Sequence, residues 1–472
     1  MPDITDDILF ASVREQGKLI REQKISPVAL TEAYLERLAK IGPRYNAVVT
    51  LTRDLAQREA KAAEAEIKAG KYRGPLHGIP YGVKDIAATK GIPTTWGAEP
   101  FKNQVFDHDA TVVTKLREAG AVLLGKLAMV ELAGGFNYNN ADASFTGPGL
   151  NPWDTAFWSG GSSSGPGSAV SAALVSFAVG SETSGSIITP ASFCGISGLR
   201  PTYGRVSRHG CMALSWTLDK IGPMCRSADD CGLVLAALAG PDPLDPASAD
   251  RPFKYEEVEK PEQGKKFKIG VIKGATAGIQ PEVRKNFNDA VKVLGEFCDV
   301  EENVQFPDLP FGPVVSTIIN AEGASAFRDF IDAGGPAKLR AVHDKYGGYA
   351  GMTILAVDYL HAMRARGKMK KALDDLYSKY DALVAPARST VANPINLDFD
   401  KAYAGASGPP VIPAGNVVGQ PALSVPDGFG MKNLPTGIQF TGRNWSEGKL
   451  IAIAHAYQQA TDWHKKRPPK VG

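Results

Sequence analysis

A chain of 472 residues carries 53 Lys and Arg against 50 Asp and Glu, a formal charge of +3, with 43% hydrophobic and 22% charged residues. This near-neutral balance argues against electrostatic binding to nucleic acid or an anionic membrane, and the composition is that of an ordinary globular protein. The length exceeds that of most single cores but suits a large α/β enzyme built as one domain.

The opening MPDITDDILF has no basic region leading into an apolar one, so a cytoplasmic location is expected. The longest apolar run, around residues 169–180, is interrupted by Ser171 and Ser176. It is about half of the ~20 residues that a membrane helix needs. Five cysteines, Cys194, Cys211, Cys225, Cys231 and Cys298, are expected as free thiols in a reducing compartment. The seven histidines are scattered, with no Cys/His spacing suited to a metal.

Ser26 before Pro27 reads as a helix cap followed by proline at the first helical position. Leu30, Tyr34, Leu35, Leu38 and Ile41 then recur at helical spacing until Gly42-Pro43 stops them. Residues 46–51 read as a strand and 55–69 as a helix. A strand over 81–86 places Lys84 and Asp85 on opposite faces, because strand side chains alternate. Taken alone, such a pair is ordinarily a solvated surface pair. Residues 111–119 read as a helix and 121–124 as a buried strand, followed by GKLAMVELAGG. Between 136 and 158, six of 23 residues are aromatic, including Phe136 and Tyr138. Those rings read equally as core or as the wall of a pocket on a loop.

Two glycine- and serine-rich loops come next, at 160–165 (GGSSSG) and 180–186 (GSETSGS). They bracket a run of small apolar residues, 168–179, long enough for a short helix and then a buried strand. Glycines there permit tight turns and free consecutive N–H groups to face an anion. Residues 161–165 also fit the G-x-S-x-G nucleophile elbow, but the elbow follows a strand directly, and 151–160 is rich in turn formers. Beyond residue 240 come a Pro- and charge-rich connector (242–266), a strand (268–272), an amphipathic helix (283–297), a basic helix (363–380), a strand (382–385) and a last helix (449–463). The Asn444-Trp445-Ser446 sequon carries no meaning without a secretory signal.

The segments GPLHGIPYGVKD, GGSSSG, GSETSGSIITPA and the tail CGISGLRPTYGRVSRHG resemble the amidase signature family of serine hydrolases. The likeness runs from about Gly74 to Pro223, returns from Asn416 to Pro468, and is strongest to the A subunit of glutamyl-tRNA amidotransferase. It implies an α/β fold, a central twisted mixed β-sheet with helices on both faces. It also implies a single domain over 1–472, with a core at 74–240 and 405–472 and a variable, substrate-shaping region at 240–405.

The resemblance assigns Ser186 as nucleophile, Ser162 as bridging serine after a cis peptide at Gly161–Ser162, and Lys84 as base. It places the oxyanion hole at the N–H groups of Thr183, Ser184, Gly185 and Ser186. Ser163 is expected to hydrogen-bond Lys84 or Ser162. No metal and no cofactor are implied. For the lysine to act as base it must be neutral, and burial away from carboxylates lowers its pKa from ~10.4 toward ~7–8.

Departures from the family pattern set the expected substrate. Glu182, Ser184 and Ile188 stand where relatives carry Asp, Gly and Arg, so Glu182 is expected to lose its neighbouring cation. Leu127-Ala128 replaces a Thr-Asn pair, so a polar contact is expected to be missing there. A pocket of Met129, Phe136, Tyr138, Ile188 and Trp216 points to a hydrophobic or aryl-bearing, neutral amide, ester or carbamate, urethanes included. The expected reaction is cleavage of a C–N bond other than a peptide bond, through an acyl-enzyme. Two other readings stand beside it: a glutamine-dependent amidotransferase A chain working with partner subunits, and a non-catalytic scaffold with this fold. The expected partner is a small molecule, with no nucleic acid and no membrane. The sequence leaves the oligomeric state open, a homodimer included.

Overall fold

Local signals place the first elements. The Ser26 hydroxyl accepts from the N–H groups of Val28 (3.0 Å) and Ala29 (3.2 Å), and the helix Pro27–Ile41 follows. The computed structural model describes residues 4–261 and 263–469. Its strands are β1 (Val48–Leu51), β2 (Pro80–Lys84), β3 (Val122–Leu127), β4 (Phe177–Glu182), β5 (Ser197–Arg200) and β6 (Lys220–Cys225), then β7 (Phe267–Ile272), β8 (Cys298–Val304), β9 (Ala382–Pro386), β10 (Ala422–Phe429) and β11 (Pro435–Thr441).

All eleven form one sheet in the order β1-β3-β2-β4-β6-β5-β10-β11-β9-β7-β8. The pairs β2/β3, β2/β4, β7/β8 and β7/β9 are parallel, and the remaining pairs are antiparallel, so the sheet is mixed. Helices cover the sheet, as expected of the α/β class. β2, β3 and β4 are buried along their whole length, which suits parallel strands covered on both faces. β7, β8 and β9, from the region between the two resembling segments, extend this same sheet. Among the described residues, no helix is long and apolar enough to cross a membrane.

The strand ends in the middle of the sheet bring the serine loops together. β2 lies parallel to β4 with Val83 opposite Val179, so Lys84 ends its strand beside the last residues of β4. The helix Ser164–Ser171 begins inside the first serine loop. Its N-terminal backbone touches the end of β3, where Gly165 N–H donates to the Ala128 carbonyl at 2.8 Å. A Cβ at Gly165 would fall 2.4 Å from Ala128 N and 2.5 Å from the Ala47 carbonyl, so only glycine allows this approach. Backbone thus does the tying at Leu127-Ala128, where a polar side-chain contact was expected to be missing. The Leu127 side chain instead fills the space above Gly82.

Asp85 follows β2 and binds Lys126 of β3 at 2.9 Å, both side chains fully buried. Asp85 also accepts from Thr95 N–H (2.9 Å), and Lys126 donates to Thr94 Oγ1 (2.7 Å). Removing one partner leaves the other charged and buried. Asp85→Ala is therefore expected to destabilise the fold by about 3–5 kcal/mol, read as a lower midpoint in urea. An unchanged midpoint would show that this pair holds nothing.

Candidate active site

Lys84, Ser162 and Ser181 meet in a buried cluster. Lys84 Nζ lies 2.8 Å from Ser162 Oγ and 2.8 Å from Ser181 Oγ. Lys84 and Ser162 are at most 1% exposed. The peptide bond Gly161–Ser162 is cis. Burial drives the Lys84 pKa down to about 7, against the weaker upward pull of Asp219 and Glu182. An amine with that pKa is substantially neutral at pH 7 and can accept a proton.

Ser186 lies two residues before the helix Ile188–Cys194, and its carbonyl accepts from Ser163 N–H at 3.3 Å. The two serine loops are joined at that point. Gly185 adopts a φ of +88°, which turns the chain between Ser184 and Ser186. Among the described residues, the N–H groups of Thr183, Ser184, Gly185 and Ser186 donate to no protein atom. Ser184 is the only residue of 181–190 that is more than slightly exposed. The loop therefore carries consecutive backbone donors without an acceptor in the protein, beside the one residue of 181–190 that is half-buried.

Glu182 holds this loop from below. Its Oε2 accepts from the N–H groups of Ile187 (2.9 Å) and Ile188 (3.0 Å), capping the helix. Its Oε1 accepts from Arg200 Nη1 and Asn416 Nδ2, each at 2.8 Å. The expectation that Ile188 leaves Glu182 without a cation is thus corrected, since Arg200 on β5 supplies it. Burial opposes ionisation of Glu182, but Arg200 and Lys220 bring its pKa down to about 2. Arg200 reaches Glu182 across Gly415, where a Cβ would sit 2.3 Å from its Nη2.

The opposite side of the loop is held by Asp219. It accepts from Thr183 Oγ1 at 2.7 Å and from Leu214 and Ser215 N–H, each at 2.9 Å. Lys220, also buried, donates to the Thr183 carbonyl at 3.4 Å. Sequence reasoning missed Ser181, Arg200, Asp219, Lys220 and Asn416. Only the position of Ser181 beside Glu182, alternating with it on β4, could have marked one of them.

Ser163 is placed differently from expectation. Its hydroxyl donates to the Ser181 carbonyl (3.1 Å) and accepts from Ser181 N–H (3.3 Å), so it grips the β4 backbone. Ser181 takes the position beside Lys84 that Ser163 was expected to fill.

The expected pocket residues disperse. Trp158 packs against Gly161, at the cis peptide, and Tyr138 meets Trp158 edge-on with ring centres 6.0 Å apart. Phe136 is elsewhere, buried edge-on to Phe327 at 5.7 Å. Met129 is buried against Gly97. Ile188 packs with Ala387, Ala422 and Ile412. Trp216, 43% exposed, lines a cavity of about 160 Å³ with Ser181, Cys211, Met212 and Asp219. That cavity reaches the Ser181 side of Lys84 rather than the Ile188 side of Ser186.

A family model described as amidase matches residues 29–451. The A subunit of glutamyl-tRNA(Gln) amidotransferase from Moorella thermoacetica is 37% identical, over 98% of this chain and 99% of that protein. The peptide amidase of Stenotrophomonas maltophilia is 31% identical, with a TM-score of 0.84 over 98% of each chain. The A subunit of the same amidotransferase from Thermotoga maritima is 29% identical, with a TM-score of 0.80 over 98% of this chain and 97% of that one.

Proposed function

This chain belongs to the amidase signature family, and we propose that within it the protein is a serine amidohydrolase that cleaves small amides through an acyl-enzyme on Ser186. The observation that carries this reading is the buried Lys84 amine, 2.8 Å from Ser162 Oγ and held near a pKa of about 7. A serine hydroxyl needs a base to become a nucleophile. In the proposed cycle Ser162 passes the Ser186 proton to Lys84, since a hydroxyl both donates and accepts. Ser186 Oγ bonds to the carbonyl carbon, and the oxygen, now negative, meets the free N–H groups of residues 183–186. The C–N bond breaks as the proton returns from Lys84 through Ser162 to the departing amine. Water then repeats the sequence, and the acid leaves.

Trp158, Phe193 and Tyr138, packed edge-on around the cis peptide, support an aryl-bearing substrate, whether anilide, aryl ester or aryl carbamate. An aryl ring buried on such walls gains ~2–3 kcal/mol at ~25 cal/mol per Å². An anilide is therefore expected to exceed acetamide in kcat/KM by roughly 30- to 150-fold. The second reading, the glutamine-dependent member of an amidotransferase complex, is favoured by the full-length 37% identity to such proteins. One screen of the purified protein separates the two, comparing glutamine, acetamide, anilides, aryl esters and aryl carbamates. Glutamine turnover matching or exceeding that of the aryl substrates would replace the first reading with the second.

A further inference from the structure

Arg388 lies two residues beyond the end of β9, is half-buried, and among the described residues has no acidic hydrogen-bond or ion-pair partner. Its Nε is buried without an acceptor, and among the described residues no hydrogen bond or ion pair reaches its guanidinium. It lies over the Phe193 ring, 5.8 Å from the ring centre. The preceding residue, Ala387, packs on Ile188, two positions beyond Ser186. Arg388 thus sits in the seam between the Ile188 cluster and the aromatic cluster over the cis peptide.

A guanidinium does not deprotonate in a protein, so burial cannot make it neutral. The carboxylate within its electrostatic reach, Glu182, has both oxygens committed, to Arg200 and Asn416 and to two backbone N–H groups. A further donor stands beside the same ring: Trp158 Nε1 is buried without a partner. Trp158 meets Phe193 edge-on at 6.4 Å, and Tyr138 meets Trp158 at 6.0 Å. The surroundings therefore hold a positive charge and a buried unpaired donor, and among the described residues no carboxylate pairs directly with Arg388.

We propose that Arg388 is a specificity-determining residue that binds a carboxylate on the acyl half of the substrate. This deepens the amidohydrolase reading and rests on it. It also removes the premise of a neutral substrate: the cation absent at Ile188 is offered by Arg388, on a strand end that packs against Ile188. A planar guanidinium suits a carboxylate because it can donate two parallel hydrogen bonds. The substrate class that follows is an amide whose acyl half ends in an acid, with aryl or carbonyl groups against Trp158 and Tyr138.

The test follows labelling of Ser186 by a fluorophosphonate, located by peptide mass, and its protection by two competitors of like size. Succinanilic acid carries the carboxylate, and butyranilide does not. In the wild type, succinanilic acid is expected to half-protect at a concentration about tenfold or more below that of butyranilide, as for a hydrogen-bonded charge. Arg388→Gln should bring the two within about threefold of each other, and Arg388→Lys should keep part of the preference. Equal protection in the wild type, or a preference that survives in Arg388→Gln, overturns the subsite and leaves the amidohydrolase reading standing. The wild-type comparison decides even if the variants fail to fold. Failure of the probe to label wild-type Ser186 overturns the acyl-enzyme reading, and the subsite falls with it.

Discussion

Ser186→Ala is expected to abolish turnover, with a loss of about 10⁴- to 10⁶-fold, the range seen when one member of a catalytic unit is removed. The size follows from how the loop is built. The consecutive free N–H groups lie at residues 183–186, and Ser186 is the hydroxyl at their end, next to the Ser163 N–H that ties the two serine loops. Thr183 Oγ1 is taken up by Asp219, and Ser181 Oγ lies against Lys84. Neither is free to replace Ser186 in the proposed cycle. The measurement is single-turnover acylation with an activated aryl ester, followed by mass analysis of the trapped acyl-enzyme. Acylation of Ser186→Ala at a rate near wild type would show that the nucleophile lies elsewhere.

Lys84→Ala is expected to cost several orders of magnitude as well, and the wild-type pH profile should identify the cause. In the proposed cycle the active form is the neutral amine, and burial has brought its pKa down to about 7. Below that pH the amine holds a proton and cannot accept one from Ser162. The rate should therefore rise as pH rises through about 7 and level off above it, with a single ionisation on the acid limb. Ser162→Ala should lower the rate comparably, because Ser162 Oγ lies 2.8 Å from Lys84 Nζ on the proposed proton path. An acid limb near ~4, the range of an ordinary carboxylate, would point to Asp or Glu as the base instead. Near-wild-type acylation by Lys84→Ala would remove the assignment altogether.

Much of the local structure was legible because it is written in neighbouring residues. The Ser26-Pro27 cap, the helix after it and the alternation that sets Lys84 and Asp85 apart all depend on spacings of one to four positions. In the structure the helix is Pro27–Ile41, and Lys84 and Asp85 face separate partners. The antiparallel strands β5, β6, β10 and β11 carry no clear period in the sequence. Their residues are almost wholly buried, which erases the alternation of apolar and polar positions that marks a half-exposed strand.

The sequence by itself, through motifs that resemble those of the family, singled out Lys84, Ser162 and Ser186 as the residues proposed to carry the chemistry. Only the tertiary structure decided what surrounds them. Glu182 finds its cation 18 positions away in Arg200 and its amide 234 positions away in Asn416. Ser181, not Ser163, lies against Lys84. Arg388 reaches the neighbourhood of Ile188 because β9 lies beside β11, whose Gly437 carbonyl accepts from Ala387 N–H at 2.7 Å. A motif records the spacing of chain neighbours, whereas these pairings depend on strand order. Strand order is fixed by burial across the whole sheet, and no single stretch of sequence contains it.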